Sequence, residues 1–363
     1  MSILFQPISI GSMVVKNRFV RSATHDYLGN PDGTISEEEI KLYKTLAEND
    51  VGLIISAFTY IQHPLGKAMA TQNAFYSDEF IAGYKKIVEA VRPYGAKFII
   101  QIAHAGRQTA PTVTGGLIPV APSAVSLDEK RRPREMTEQE IEQVIEDFIA
   151  AMVRAEATGC DAVQIHIAHG YLLAQFISPY TNRRQDKWGG SVENRARIIK
   201  EIIIGAKKKL SRDFPILAKL NSTDGFAGPE YLSLEDAVSI AKMLEELGVS
   251  AIEVSGGMHE AKNFVSAVNI KSSEQEAYFQ EAARVIKENI KIPVILVGGM
   301  RSFGVMEEVI NSGKADMVAL CRPFIKEPDL VKKLRDGKEK VSCVSCNACF
   351  NPKGIACYYK GEL

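Results

Sequence analysis

Eight short, apolar, β-rich runs alternate with longer amphipathic runs along nearly the whole chain, and this alternation restricts the fold more than any other feature. The runs lie at 18–22, 53–56, 98–102, 162–167, 216–220, 251–255, 294–297 and 317–320. Helix-like stretches follow near 36–49, 78–92, 137–158, 192–210, 233–247, 273–288, 303–312 and 328–336. Strands alternating with helices pair in parallel, and a parallel sheet is covered on both faces, so its strands are apolar throughout. Eight is also the number that closes a barrel with a side-chain-filled interior. An open doubly wound sheet is the alternative, but no Gly-x-Gly-x-x-Gly follows the first run. The expectation is an α/β fold, a (β/α)8 TIM barrel over residues 1–336, with an N-terminal plug hairpin and a short Cys-rich tail at 337–363. Such barrels take about 250 residues and accept long insertions, which suits a chain of 363.

Local signals agree with that register. Thr137 with Glu140 has the spacing of a capping box, with Met136 and Ile141 as the staple across it, and Ser36 with Glu39 repeats the device. Ile141, Val144, Ile145, Phe148, Ile149 and Met152 fall on one face of the third helix, as an outer barrel helix requires. The loop at 103–136 is long and rich in Pro, Gly and basic residues, and it follows the third strand, where barrels build their sites.

Charge and hydropathy exclude several functions. The chain has 44 Lys plus Arg against 44 Asp plus Glu, so no global field attracts nucleic acid or an anionic membrane. There is no n-region followed by an apolar h-region, and no run of about 18 apolar residues, so neither a signal peptide nor a membrane span is expected. A cytoplasmic protein is the expectation, and a homo-oligomer is left open. Cys160 and Cys321 stand alone, whereas Cys343, Cys346, Cys349 and Cys357 crowd the tail. In a large intracellular chain such a cluster points to metal or redox chemistry rather than to a disulfide framework.

In a barrel, function sits at the C-terminal ends of the strands. Four of the six histidines map there: His25, His166, His169 and His259. A single histidine is usually structural; four on one rim, with Tyr171 and Lys219, point to a site. His166-x-x-His169 has no carboxylate to complete a metal site. Its two imidazoles can instead hold a carbonyl or anionic oxygen and polarise a conjugated double bond, and Tyr171 can supply a proton. The bland alternative for Tyr171 is a packing aromatic. Gly298, Gly299 and Met300 after the seventh strand, with Cys321 and Arg322 after the eighth, suit a phosphate, because glycines let backbone N–H groups approach its oxygens. Lys219 offers a fixed positive charge in the barrel mouth. Its rival role is the Schiff-base lysine of an aldolase-like barrel lyase.

These residues carry a resemblance. Leu4-Phe5-Gln6-Pro7 with Lys16-Asn17-Arg18, then Gln101 through Arg107, then His166 through Tyr171, and finally Ser178-Pro179, Asn182, Arg184, Asp186, Gly189-Gly190-Ser191 and Asn194-Arg195 resemble the Old Yellow Enzyme, or NADH:flavin oxidoreductase, family. Ser255 through Glu260, and His25, resemble its dienoyl-CoA reductase branch. The resemblance implies FMN across the barrel mouth. Ala23, Thr24 and Phe58 would line its ring, Gln101 would bond its pyrimidine edge, and Lys219 stands where the family usually has Arg. Gly298, Gly299, Met300, Cys321 and Arg322 would take its phosphate. It also implies His166 and His169 as the substrate-oxygen pair, Tyr171 as proton donor and His259 as its assistant.

The tail is similar to that of branch members that carry an iron–sulfur cluster. Cys343-x2-Cys346-x2-Cys349-x7-Cys357 suits a [4Fe–4S] cluster, a structural zinc or unligated thiols, and its last spacer is shorter than in those relatives. Longer relatives continue into FAD- and NAD(P)-binding domains. This sequence does not include them, so NAD(P)H or a separate electron-donor protein is expected to reduce the FMN. The implied activity is ene reduction of a small activated alkene, with an FMN oxidase or demethylase and a redox-sensing binding module as alternatives.

Overall fold

The structure is a computed structural model that describes residues 2–361. Eight parallel strands close on themselves: β1 (Phe19–Arg21), β2 (Leu53–Ile55), β3 (Lys97–Ala103), β4 (Ala162–Ile167), β5 (Ile216–Asn221), β6 (Ala251–Ser255), β7 (Val294–Val297) and β8 (Met317–Leu320). Each pairs with the next, and the pairing of Val318 with Phe19 joins β8 to β1 and closes the barrel. The outer helices are α1 (Glu37–Glu48), α2 (Ile81–Val91), α3 (Glu138–Ala157), α4 (Val192–Lys207), α5 (Leu234–Glu246), α6 (Gln280–Asn289), α7 (Phe303–Asn311) and α8 (Leu330–Arg335). All eight strands lie where the alternation predicts them, within about a residue at each end.

The helix starts follow from capping chemistry. Thr137 and Ser36 each complete a capping box with Glu140 and Glu39, satisfying two of the orphan N–H groups at the head of α3 and α1. The predicted face of α3 is the buried one. The stretch expected as a helix from 273 begins instead with a single 3-10 turn at Ser273–Gln275, and α6 starts only at Gln280. Ala277 adopts φ +51°, which no helix accommodates. This break turns Glu276 inward towards the loop after β7. A short helix, Leu172–Ile177, directly after Tyr171 is not anticipated by the sequence pattern.

Side-chain alternation divides the core into two. Phe98, Ile100, Ile102, Val163, Ile165, Ala218, Ile252, Val254 and Leu296 point outward and pack under the helices. Val20, Leu53, Ile99, Ala162, Leu217, Ala251, Ile295 and Met317 point into the barrel. There they meet Ile10, Met13 and Val15 of the antiparallel hairpin Ile8–Ile10/Met13–Val15, which plugs the N-terminal end as expected. The hairpin closes the floor of the barrel, so its interior opens at the C-terminal mouth. No helix among the described residues is long and apolar enough to cross a membrane.

Candidate active site

Immediately above the apolar floor, the next inward positions turn polar. Ser22, Gln101, Gln164, Lys219 and Glu253 are all buried and form one hydrogen-bonded chain. Gln101 Nε2 donates to Gln164 Oε1 (2.6 Å), and Gln164 Nε2 donates to Glu253 Oε2 (3.0 Å). Lys219 Nζ reaches Glu253 Oε1 at 3.0 Å and Ser22 Oγ at 2.8 Å, and Ser22 Oγ donates to Glu253 Oε1 at 2.5 Å. The fixed positive charge expected at Lys219 is therefore one half of a buried ion pair.

Above this layer opens a cavity of about 410 Å³. Around it stand Ala23, Thr24, His25, Phe58, Gln101, His166, His169, Tyr171, Lys219, His259, Gly298, Gly299, Met300, Cys321 and Arg322, so the structure brings every sequence candidate outside the tail to one site. The volume lies within the range of small-molecule and cofactor sites.

His166 is the last inward residue of β4, and its ring stands perpendicular to that of His169, centroids 5.3 Å apart. His169 sits at φ +61°, a conformation costly for a non-glycine residue and held here by three partners. Its N–H donates to Asn221 Oδ1 (3.0 Å), its carbonyl accepts from Gln108 Nε2 (2.7 Å), and its Nε2 lies 2.7 Å from Ser255 Oγ. Asn221 and Gln108 are partners of His169 that sequence reasoning misses, and Ser255 enters it only as part of a motif. Burial, and then the charge of Lys219, hold His169 well below the ordinary imidazole range. Burial, His169 and Lys219 do the same for His166. Both rings are thus neutral at pH 7. Buried His166 Nδ1 has no hydrogen-bond partner within the protein, a donor or acceptor left for a guest.

Tyr171 packs 4.9 Å from both His166 and Phe58, measured between ring centroids. Burial raises its pKa above the ordinary phenol value, so it keeps its proton. His25, 5.8 Å from Phe58, is pushed down to about 4 by burial. His259 Nε2 lies 3.1 Å from an Arg131 guanidinium nitrogen. Buried Arg107 pairs with Glu260 at 2.6 Å, so the long loop after β3 is clamped to the segment after β6 across the mouth.

The loop after β7 needs its glycines. Gly299 has φ +70°, and a Cβ there would sit 2.5 Å from Ile270 Cδ1; Gly298 has φ +135°. Glu276, turned inward by the break before α6, accepts from the backbone N–H of Arg301 (2.6 Å) and Ser302 (2.7 Å) and from the Ser302 hydroxyl (2.7 Å). It fixes the loop that presents Gly299 and Met300. Arg322 Nη1 donates to the Ala267 carbonyl (2.7 Å) and to Asn347 Oδ1 (2.8 Å), so the tail reaches the same wall. Ser345, Asn347 and Phe350 of the tail line the cavity as well.

Cys343, Cys346, Cys349 and Cys357 line a second cavity of about 160 Å³ that shares Arg322 and Asn347 with the first. Burial and the neighbouring thiols Cys321 and Cys343 push Cys349 up to about 12, and burial raises Cys343. Among the described residues, no group of three or more His, Cys, Asp or Glu side chains is arranged to hold a metal ion.

Comparison with known proteins agrees with this geometry. The model of the NADH:flavin oxidoreductase / NADH oxidase family matches residues 3–340. An NADH oxidase of Thermoanaerobacter brockii is 41% identical over 95% of this chain, which spans only 52% of that protein. A 2-naphthoyl-CoA reductase in complex with 2-naphthoyl-CoA superposes with a TM-score of 0.87 at 31% identity, covering 97% of this chain and 57% of that one. An Old Yellow Enzyme homologue of Zymomonas mobilis gives 0.78 at 26% identity, covering 98% and 99%. The chain spans about half the length of the first two. With the closed barrel, the single mouth and a match over nearly its whole length, this chain belongs to the NADH:flavin oxidoreductase / NADH oxidase family, enzymes of the Old Yellow Enzyme type.

Proposed function

We propose that this chain reduces an activated carbon–carbon double bond, using FMN in the barrel mouth and a reduced nicotinamide as the source of electrons. The observation that carries this reading is the trio His166, His169 and Tyr171 on one wall of the cavity: two neutral imidazoles at right angles beside a protonated phenol. The unpartnered His166 Nδ1, the polar floor at Gln101 and Lys219, and the glycine loop with Arg322 together fit a flavin nucleotide. Gln101 and Lys219 would hold its ring edge, and Gly298, Gly299, Met300, Cys321 and Arg322 its phosphate. When bound, FMN supplies the hydride chemistry.

The protein's own groups do the rest. His166 and His169 hold the carbonyl oxygen that activates the alkene and draw electron density from the β-carbon. Tyr171 keeps a proton at its hydroxyl for the α-carbon, with His259 assisting. The related reductase that holds 2-naphthoyl-CoA is in keeping with a substrate bearing a carbonyl group. A Schiff-base lyase fits less well, because the Lys219 amine is tied to Glu253 and Ser22 rather than free to attack.

Purification without air, followed by visible absorption before and after acid release, tests the proposal. A flavin spectrum with about one FMN released per chain is expected. A colourless protein that takes up no FMN would sink it. For the four tail thiols, which share one cavity, iron and acid-labile sulfide in the same sample separate the [4Fe–4S] cluster implied by the tail's resemblance from a structural zinc or plain thiols.

The protonation states set a pH dependence. Imidazoles shifted down are neutral above their lowered values, and a phenol shifted up stays protonated below its raised one. Single-turnover oxidation of the reduced enzyme by an alkene is therefore expected to be flat from about pH 6.5 to about 10, the ordinary values for free His and Tyr. A bell-shaped profile centred inside that window would contradict the assignment.

A further inference from the structure

We propose that Glu253 sets the reduction potential of the flavin, by offsetting the charge of Lys219 in the cavity floor. The proposal rests on the FMN reading above and gives a role to a residue that does not itself line the cavity. Glu253 is completely buried in the middle of β6, between apolar Ile252 and Val254. A lone carboxylate there would be strongly disfavoured, and the structure gives it three partners: Lys219 at 3.0 Å, Ser22 at 2.5 Å and Gln164 at 3.0 Å. Lys219 faces two ways. It lines the cavity, and it is bound from behind by the carboxylate.

Taking up two electrons and one proton leaves the flavin ring one charge more negative. A cation under its edge favours that state, and an anion behind the cation opposes it. Taken alone, Lys219 would be an uncompensated charge that holds the potential high. The buried pair cancels much of that field, because both charges share one low-dielectric layer closed from water by the hairpin and by the cavity's occupant. Gln164 then links the pair to Gln101, so the carboxylate is fixed relative to the cavity floor. Glu253 acts through Lys219 and is a positioning and charge-setting residue, not a catalytic one.

The test is spectroelectrochemical titration of the FMN-loaded enzyme, with FMN affinity measured alongside. Glu253→Gln keeps the side-chain shape and one acceptor but removes the charge. It is expected to move the equilibrium at least tenfold towards reduced flavin, about +30 mV for two electrons. Glu253→Asp keeps the charge one methylene further from Lys219, and is expected to shift the potential in the same direction by less. Lys219→Met is expected to lower the potential, and combining it with Glu253→Gln should return it towards wild type. An unchanged potential in Glu253→Gln that still binds FMN would show Glu253 to be structural only. If that variant does not load, an unchanged potential in Glu253→Asp leads to the same conclusion. A wild-type protein that binds no FMN would instead overturn the cofactor reading, which keeps the two failures apart.

Discussion

Replacing Tyr171 by Phe is expected to slow hydride transfer to an alkene by about 10²–10⁴-fold, the usual worth of a positioned general acid, while reduction of FMN by NAD(P)H keeps its rate. Tyr171 stands in the cavity wall, its hydroxyl is held protonated by burial, and its ring packs against His166 and Phe58. Phenylalanine preserves the ring contacts, so folding and cofactor binding should survive and the loss should fall on one half-reaction alone. Stopped-flow measurement of each half-reaction separates the two. A variant that reduces alkene at near the wild-type rate would make Tyr171 a packing aromatic and assign the proton to another donor.

Phe98→Ala is expected to cost about 3–5 kcal/mol of unfolding free energy. Phe98 starts the apolar stretch of β3, is 1% exposed and points outward beneath the helices. It meets Tyr43 of α1 edge-on, with ring centroids 5.3 Å apart. That tyrosine is itself engaged: its hydroxyl lies 3.2 Å from Asp26 and accepts the Ala57 N–H at 2.7 Å, tying α1 to the ends of β1 and β2. Removing the Phe98 ring opens a cavity against groups that cannot collapse without breaking those bonds. Chemical denaturation compared with wild type measures the loss. A change below about 1 kcal/mol would mean that the interface relaxes freely, contrary to the close packing expected of a protein core.

Much of the architecture is written in local patterns. Each barrel strand is a compact apolar run, and the capping boxes at Ser36 and Thr137 mark two helix starts correctly because a cap is a contact between residues three apart. The rim residues can be found because the C-terminal end of every strand follows directly once the strands are known. The polar layer is harder to see. Glu253 and Gln164 sit in strands that otherwise read as continuous apolar runs, and only the inward parity shared with Lys219 and Gln101 exposes them. Period-two counting along β4, β5 and β6 together is the signal that finds them. Asn221, Ser255 and Glu276 act by bonding to groups far away in sequence, at His169 and Arg301, and nothing local announces such a partner. The break at Ala277 is hidden for a related reason: alanine favours helix by propensity, and tertiary demand for an inward Glu276 overrides it.

Because Asn347 holds Arg322, and Ser345 and Phe350 form part of the cavity wall, the Cys-rich tail and whatever fills the barrel mouth are thermodynamic partners. If a change in tail docking alters ligand binding by some factor, the ligand alters docking by the same factor. Oxidation, metallation or alkylation of the four thiols would therefore be felt at the flavin site as a change in retention. Cofactor occupancy, in turn, would govern how readily those thiols react.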